Sequence, residues 1–157
     1  MTGAIVAAAA ALVSALSGVL LQALIGERRA RAERERQEAE RRRAELIEAV
    51  RNLLGAYVRF RDQQYRKIRA RRMGRDDTYE SIDGRYEARS TFTEAIDGVH
   101  AVTDDQDLLA SVEEARRLVL ALGDAAPAPG QVDEAEVARI GELARQKHTA
   151  LRRALHP

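Results

Sequence analysis

The pattern of hydrophobic and polar positions changes abruptly at residue 27. From Gly3 to Gly26 no side chain is charged, whereas most side chains from Glu27 to Arg43 are. About 20 helical residues cross a hydrocarbon core of roughly 30 Å, so this uncharged run is long enough to span a bilayer. It predicts a transmembrane helix at 1–26 and a charged juxtamembrane stalk helix at 27–45. A cleaved signal peptide and a buried soluble helix are the alternatives.

From Leu46 onward apolar residues recur every three or four positions, which predicts helices. The stalk helix is predicted to continue to Arg72 and to end at Gly74. The start signals of three further helices are Asp77, Thr103 and Asp133, and Gly123 is the predicted end of the third. The predicted apolar face of the second helix comprises Tyr79, Ile82, Tyr86, Phe92, Ile96 and Val99.

Short connections between helices favour antiparallel neighbours. The predicted fold class is therefore all-α: an N-terminal transmembrane helix continues into a long charged helix, and residues 46–157 form an up-down antiparallel helical bundle. The heptad pattern of the first helix is apolar only from Leu46 onward, so the stalk before it is predicted to be a solvated helix more than a tight coiled coil.

The composition agrees with long helices. Charged residues make up 32% of the 157 positions and aromatic residues only 4%, whereas sheet proteins are richer in aromatic and β-branched residues. The chain has no cysteine, which excludes disulfides, thiolate metal sites and a cysteine nucleophile.

Charge is distributed unevenly along the chain. Residues 27–75 carry 17 Lys and Arg against 8 Asp and Glu, whereas residues 76–157 carry 9 against 17. The second predicted helix has an acidic flank made of Glu80, Asp83, Glu87, Glu94 and Asp97. Two explanations remain open: the two halves contact different partners, or they attract each other within the fold.

The flank of the predicted span also determines its orientation. Five arginines follow it closely: Arg28, Arg29, Arg31, Arg34 and Arg36. Because positively charged flanks stay inside, the body is predicted to be cytoplasmic and the N-terminus outside, in a single-pass protein of the cell membrane. The same arginines are predicted to contact anionic lipid headgroups.

Small and polar residues recur every fourth position within the span. They are Ala10, Ser14, Gly18 and Gln22. This spacing places them on one helix face, where a second backbone can approach closely. The face is a candidate for self-association, although alanine-rich helices produce such spacings by chance.

The densest basic stretch beyond the stalk provides a candidate contact for phosphate or lipid. Its residues are Arg66, Lys67, Arg69, Arg71 and Arg72. Arginines in a last helical turn also interact favourably with the helix dipole and need no other role. No aromatic stacking platform accompanies them, which argues against nucleic acid as a partner.

Acidic pairs provide weak hints of metal chemistry. Glu80-x-x-Asp83 and Glu94-x-x-Asp97 are similar to the magnesium motifs of all-α nucleotide pyrophosphohydrolases, but both fall on one predicted helix, whereas that family uses different helices. Asp97-x-x-His100 has the spacing used in di-iron bundles, which need a second such motif on another helix. We therefore predict no catalytic residue, no metal site and no cofactor.

The alanine-rich span, the Arg/Glu-rich stalk and the small Ala/Arg/Leu helical body resemble single-pass membrane-anchored helical proteins of actinobacteria and their phages. The first 70 residues also look like the peripheral-stalk b subunit of ATP synthase, but the chain departs from that pattern at Gly74 and at the sequence PAPG, where it is predicted to fold back.

These features favour a non-enzymatic membrane-anchored protein whose cytoplasmic bundle acts as an interaction or scaffolding module. The expected partners are the lipid bilayer, a protein not identifiable from the sequence, and further copies of the chain. The alternative is a holin-type lysis protein that permeabilises the membrane through self-association of the span.

Overall fold

A computed structural model describes the backbone of residues 2–153 and of Leu155, and the side chains of residues 26–153 and of Leu155. The described chain is all-α, as the sequence predicted. Its four helices are α1 (Thr2–Arg72), α2 (Tyr79–Val102), α3 (Gln106–Asp124) and α4 (Glu134–Arg153).

The chain divides into two compact units, residues 1–43 and residues 44–157. The division falls two residues before the boundary expected from the sequence. The side chains of the predicted span, and its small-residue face of Ala10, Ser14, Gly18 and Gln22, lie outside the described residues. Within the part that is described, no helical stretch is both long and apolar enough to cross a bilayer.

In the second unit, consecutive helices run antiparallel. Tyr57 of α1 lies against Phe92 of α2, with ring centroids 5.8 Å apart, whereas Gln63, further along α1, faces the earlier Gly84. The same reversal relates α1 to α4. Arg72 at the end of α1 pairs with Glu134 at the start of α4, and the Tyr57 hydroxyl reaches Ala144.

The connection between α2 and α3 also reverses the direction of the chain. His100 near the end of α2 lies 3.8 Å from Glu113 in the first half of α3, as in a helical hairpin. Lys147, late in α4, pairs with Glu114, also in the first half of α3, so these two helices are antiparallel as well. The second unit is therefore an up-down bundle.

The bundle is held together by two clusters of buried apolar side chains. The larger contains residues from all four helices, with Tyr57, Phe60 and Phe92 at its centre. The smaller contains Ile68, Leu122, Ala125, Ala126, Val137 and Ile140. Burying large side chains of this kind stabilises a fold by about 1.5–3 kcal/mol each, so packing supplies most of the stability.

The helix ends follow local chemistry. Gly74 has a φ of 67°, a left-handed conformation that glycine adopts without strain, and it terminates α1 as predicted. The predicted cap of α4 is also confirmed, because Asp133 accepts a hydrogen bond from the backbone N–H of Glu136 at 2.9 Å.

Two predicted caps were wrong by one or two residues. The cap of α2 is Thr78 and not Asp77, because the Thr78 hydroxyl accepts from the N–H of Ser81 while Asp77 pairs with arginines. The cap of α3 is Asp105 and not Thr103, since the Asp105 carboxylate accepts from two backbone N–H groups of the first turn. In both cases a neighbouring side chain accepts the hydrogen bonds of the first turn.

Gly123 was predicted to end α3, but it lies inside the helix, one residue before its last, and is buried. The absence of a side chain lets Gln64 of α1 pack closely against this position. A Cβ here would lie 2.8 Å from Cδ of Gln64 and closer still to its Oε1. The predicted apolar face of α2 is also only half correct. Phe92, Ile96 and Val99 are buried, whereas Tyr79, Ile82 and Tyr86 are exposed.

Candidate interaction surface

An ion-pair network fixes the corner between α1 and α2. Arg71 is only 7% exposed, and its guanidinium donates to the carboxylate of Asp77 at 2.5 Å and to that of Asp76 at 3.0 Å. Arg85 of α2 donates to the other oxygen of Asp77 at 2.7 Å. Asp77 therefore bridges the end of α1 to the first turns of α2 and fixes where α2 begins its path across the bundle.

The charge state of Asp77 follows from this setting. Its partial burial opposes ionisation, but the hydrogen bond from Arg85 and the charges of Arg85, Arg71 and Lys67 outweigh that effect and lower the pKa of the carboxyl group. Asp77 is thus ionised at neutral pH. An anion between two guanidinium groups is what keeps Arg71 acceptable in a buried position.

Lys67 forms a second polar link, between α1 and α3. Its Nζ donates to the carbonyl oxygen of Gly123 at 2.7 Å. Burial and then the nearby Arg85 lower the pKa of Lys67, while Asp77 and Asp124 act in the opposite direction. The ammonium group therefore lies at the edge of the packed core. The neighbouring carboxylates only partly offset the effect of burial and of Arg85 on its pKa.

These groups border an open cleft between α2 and α3, which we call the α2–α3 cleft. It has a volume of about 380 Å³. Phe60, Gln64 and Lys67 of α1 form its floor. The residues of its walls are Asp77, Ile82, Arg85, Tyr86 and Arg89 on the α2 side and Leu120, Gly123 and Asp124 on the α3 side.

The lining of the cleft combines apolar surface with positive charge. Ile82 and Tyr86 offer apolar area, and Arg89 is exposed with no ion pair among the described residues. Such a combination can hold apolar side chains while a cation selects a carboxylate or phosphate beside them. The cleft is therefore suited to binding another macromolecule's surface.

The five predicted phosphate or lipid contacts fall into two groups, those that only face solvent and those that form contacts within the fold. Arg66 and Arg69 are exposed. Lys67, Arg71 and Arg72 are engaged within the fold, with Gly123, Asp77 and Glu134 respectively. Arg71 in particular is buried, so its guanidinium is not offered to an external ligand.

The predicted headgroup contacts, Arg28, Arg29, Arg31, Arg34 and Arg36, are exposed side chains of the first unit. Contact with lipid stays a prediction for them. The acidic flank of α2, from Glu80 to Asp97, is exposed as well. Among the described residues no group of three or more acidic or histidine side chains is arranged to hold a metal ion.

Sequence reasoning missed the cleft because Tyr79, Ile82 and Tyr86 have helical spacing and were assigned to the core. Charged residues lie on both sides of these three positions, at Asp83 and Arg89. Charged side chains flank the core faces of amphipathic helices as well, so this pattern does not separate an exposed apolar stripe from a buried one.

The fold and the cleft together define a small all-α bundle with an open cleft, lined by apolar and cationic groups, between α2 and α3. The family model described as KilB plasmid transfer protein matches residues 47–157, nearly the whole of the second unit. The chain belongs to the KilB plasmid transfer protein family. Comparison with curated proteins and with solved structures gave no match.

Proposed function

We propose that this chain acts in plasmid transfer as a non-enzymatic interaction module, held at the cell membrane by its N-terminal segment with the bundle in the cytoplasm. The family match over residues 47–157 carries the first part of this proposal. Because the matched residues are those of the bundle, we assign the transfer role to the bundle and an anchoring role to the segment before it.

The geometry of the bundle supports the interaction role. The cleft is open to solvent, and its apolar and cationic groups come from three helices that packing and ion pairs hold in place. Rigid elements of this kind present a surface with little loss of conformational entropy on binding. The anchoring role rests on the uncharged run from Gly3 to Gly26 and the arginines that follow it.

The test is a plasmid transfer assay in cells with and without this gene. A deletion strain is complemented with the wild-type chain, with Arg89→Glu, or with Arg117→Glu, which reverses an exposed arginine of α3 outside the cleft. We expect Arg89→Glu to lower transfer frequency and Arg117→Glu to leave it unchanged. Full complementation by Arg89→Glu, at equal protein level, would remove the cleft from the proposal, and normal transfer in the deletion strain would refute the role itself.

Anchoring is tested separately by alkaline-carbonate fractionation of cells that express the tagged chain or a copy lacking residues 1–26. We expect the full-length chain in the membrane pellet and the truncated copy in the supernatant. A full-length chain that is extracted at its full mass would contradict the anchor.

A further inference from the structure

Exposed large apolar side chains are concentrated on one side of the bundle. Among the described residues there are five, and four of them lie on α2 or in the turn before it: Met73, Tyr79, Ile82 and Tyr86. Tyr79 is 86% exposed and Tyr86 65% exposed. Burying aromatic rings is strongly favourable, so leaving two of them in water on one face of a helix indicates a surface that is covered in the assembled protein.

Helical geometry arranges these residues as a stripe with a charge on each side. Tyr79, Ile82 and Tyr86 are three and four residues apart and so share one face of α2. With 3.6 residues per turn, Asp83 falls on one side of the stripe and Arg89 on the other. Glu80 and Glu87 extend the acidic side, and both are exposed.

A stripe of this kind is complementary to itself. A two-fold axis parallel to α2 brings the acidic side of one copy against the basic side of the other, while the apolar stripes meet between them. A two-fold axis perpendicular to α2 would bring like charges together and is disfavoured. Each copy therefore offers the other what this surface can bind: aromatic rings for the apolar stripe and carboxylates for Arg89.

We infer that α2 binds a second copy of this chain through the stripe of Tyr79, Ile82 and Tyr86, in a symmetric dimer in which the two α2 helices lie side by side in the same direction. Asp83 of each copy then faces Arg89, on the basic side of the other copy. This inference rests on the proposed function only in treating this side of the bundle as an interaction surface, and its test does not measure plasmid transfer. The two can therefore fail independently.

Single cysteines test the arrangement, because the natural chain has none and any disulfide must join two copies. Ile82→Cys and Tyr86→Cys are made separately in the full-length chain, purified in mild detergent, with Ala138→Cys on an exposed position of α4 as the control. Under mild oxidation we expect covalent dimers from both stripe positions and not from position 138, since parallel helices bring each stripe residue near its own copy. Equal crosslinking at all three positions, or none at the stripe while circular dichroism shows a folded helical chain, would overturn the inference.

Charge reversal provides the second test and separates this contact from association through the N-terminal segment. In the Tyr86→Cys background, Arg89→Glu sets a carboxylate against the acidic side of the other copy, and Asp83→Arg sets a guanidinium against Arg89 of the other copy. We expect each variant alone to lose at least about tenfold in crosslinking rate. An equal mixture should recover that rate, because the carboxylate introduced at position 89 of one copy then meets the guanidinium introduced at position 83 of the other. If the mixture crosslinks no faster than either variant alone, the symmetric pairing is refuted. It is also refuted if the stripe becomes buried only when an unrelated protein is added.

Discussion

The hydroxyl of Tyr57 in α1 donates a hydrogen bond of 2.8 Å to the carbonyl oxygen of Ala144 in α4, across 87 residues of sequence. Both residues are fully buried. The Tyr57 ring also contacts Phe92 of α2, edge to face, and stacks on His148 of α4. One side chain therefore links three helices at the centre of the larger core cluster.

Replacing Tyr57 by Phe keeps the ring and removes the hydrogen bond. We expect the free energy of unfolding to fall by about 1 kcal/mol, because the buried carbonyl of Ala144 loses a partner. Tyr79→Phe is the matched control, since that ring is exposed and should change stability by less than about 0.5 kcal/mol. Urea unfolding of the two variants measures both values. Equal effects would mean that the Tyr57 hydrogen bond adds nothing to stability.

The same hydroxyl should make the fold sensitive to alkali. Burial raises the pKa of Tyr57 to about 12, although the charge of Arg61 acts in the opposite direction. The unfolded tyrosine loses its proton at about pH 10, so above that pH the unfolded state binds fewer protons and is favoured. We expect stability to decline between about pH 10 and pH 12, and the decline to be smaller in Tyr57→Phe. Unfolding midpoints at a series of pH values test this, and parallel curves for the two proteins would contradict it.

The Arg71–Asp77 pair should matter more than its neighbour. Asp77→Asn leaves buried Arg71 without its closest carboxylate, and we expect a loss of about 3 kcal/mol. Asp76→Asn removes a carboxylate that is 86% exposed and should cost less than about 1 kcal/mol. Thermal and urea unfolding compare the two variants directly. Similar losses in both would show that burial does not determine the strength of these pairs.

Most of the helical pattern could be predicted from the sequence, because apolar periodicity reports burial directly. Val112, Val119 and Leu122 of α3 and Val137, Ile140 and Leu151 of α4 are all buried, at the kind of helical spacing from which these helices were predicted. The end of α1 at Gly74 was equally predictable, since few residues other than glycine adopt its positive φ.

What could not be predicted depended on contacts between distant residues. Asp77 fits the cap pattern of α2 locally, but Arg71 and Arg85 bind its carboxylate, and Thr78 takes the cap. Gly123 has the composition of a helix stop, yet its function is to admit Gln64 from another helix. The cleft depends on how far α2 and α3 diverge, which no local pattern encodes.

The close approach at Gly123 leads to a stability prediction. In Gly123→Ala the new methyl group would meet Oε1 of Gln64 and lie 2.8 Å from its Cδ, so this buried side chain has to move. We expect a loss of about 1–3 kcal/mol. Gly98→Ala is the control: nothing lies within 4 Å of its new methyl, so alanine should stabilise α2 by up to about 1 kcal/mol.

A double-mutant cycle identifies the cause of that loss. In the background of Gln64→Ala the obstructing side chain is absent, so adding Gly123→Ala should cost little further stability. If Gly123→Ala costs the same with and without Gln64, the contact between these two residues is not the reason for the glycine.

His148 should give the fold an acid-sensitive limb near neutral pH. Its imidazole is half-buried and stacked on Tyr57, with ring centroids 5.8 Å apart. Burial first, and then the positive charges of Arg61 and Arg152, lower the pKa of His148. Because the unfolded histidine takes up a proton at about pH 6.5 and the folded one resists it, the unfolded state binds more protons below that pH.

We therefore expect the stability of the wild-type chain to decline as the pH falls below about 6.5 and to stop declining once it has passed the lowered pKa of the folded state. His148→Gln retains a polar planar side chain without a titrating group, and its stability should change less over this range. Urea midpoints measured between about pH 8 and pH 5 for both proteins make the comparison. A steeper decline in His148→Gln than in the wild type would mean that the imidazole gains a proton on folding, and that Arg61 and Arg152 do not disfavour its charge.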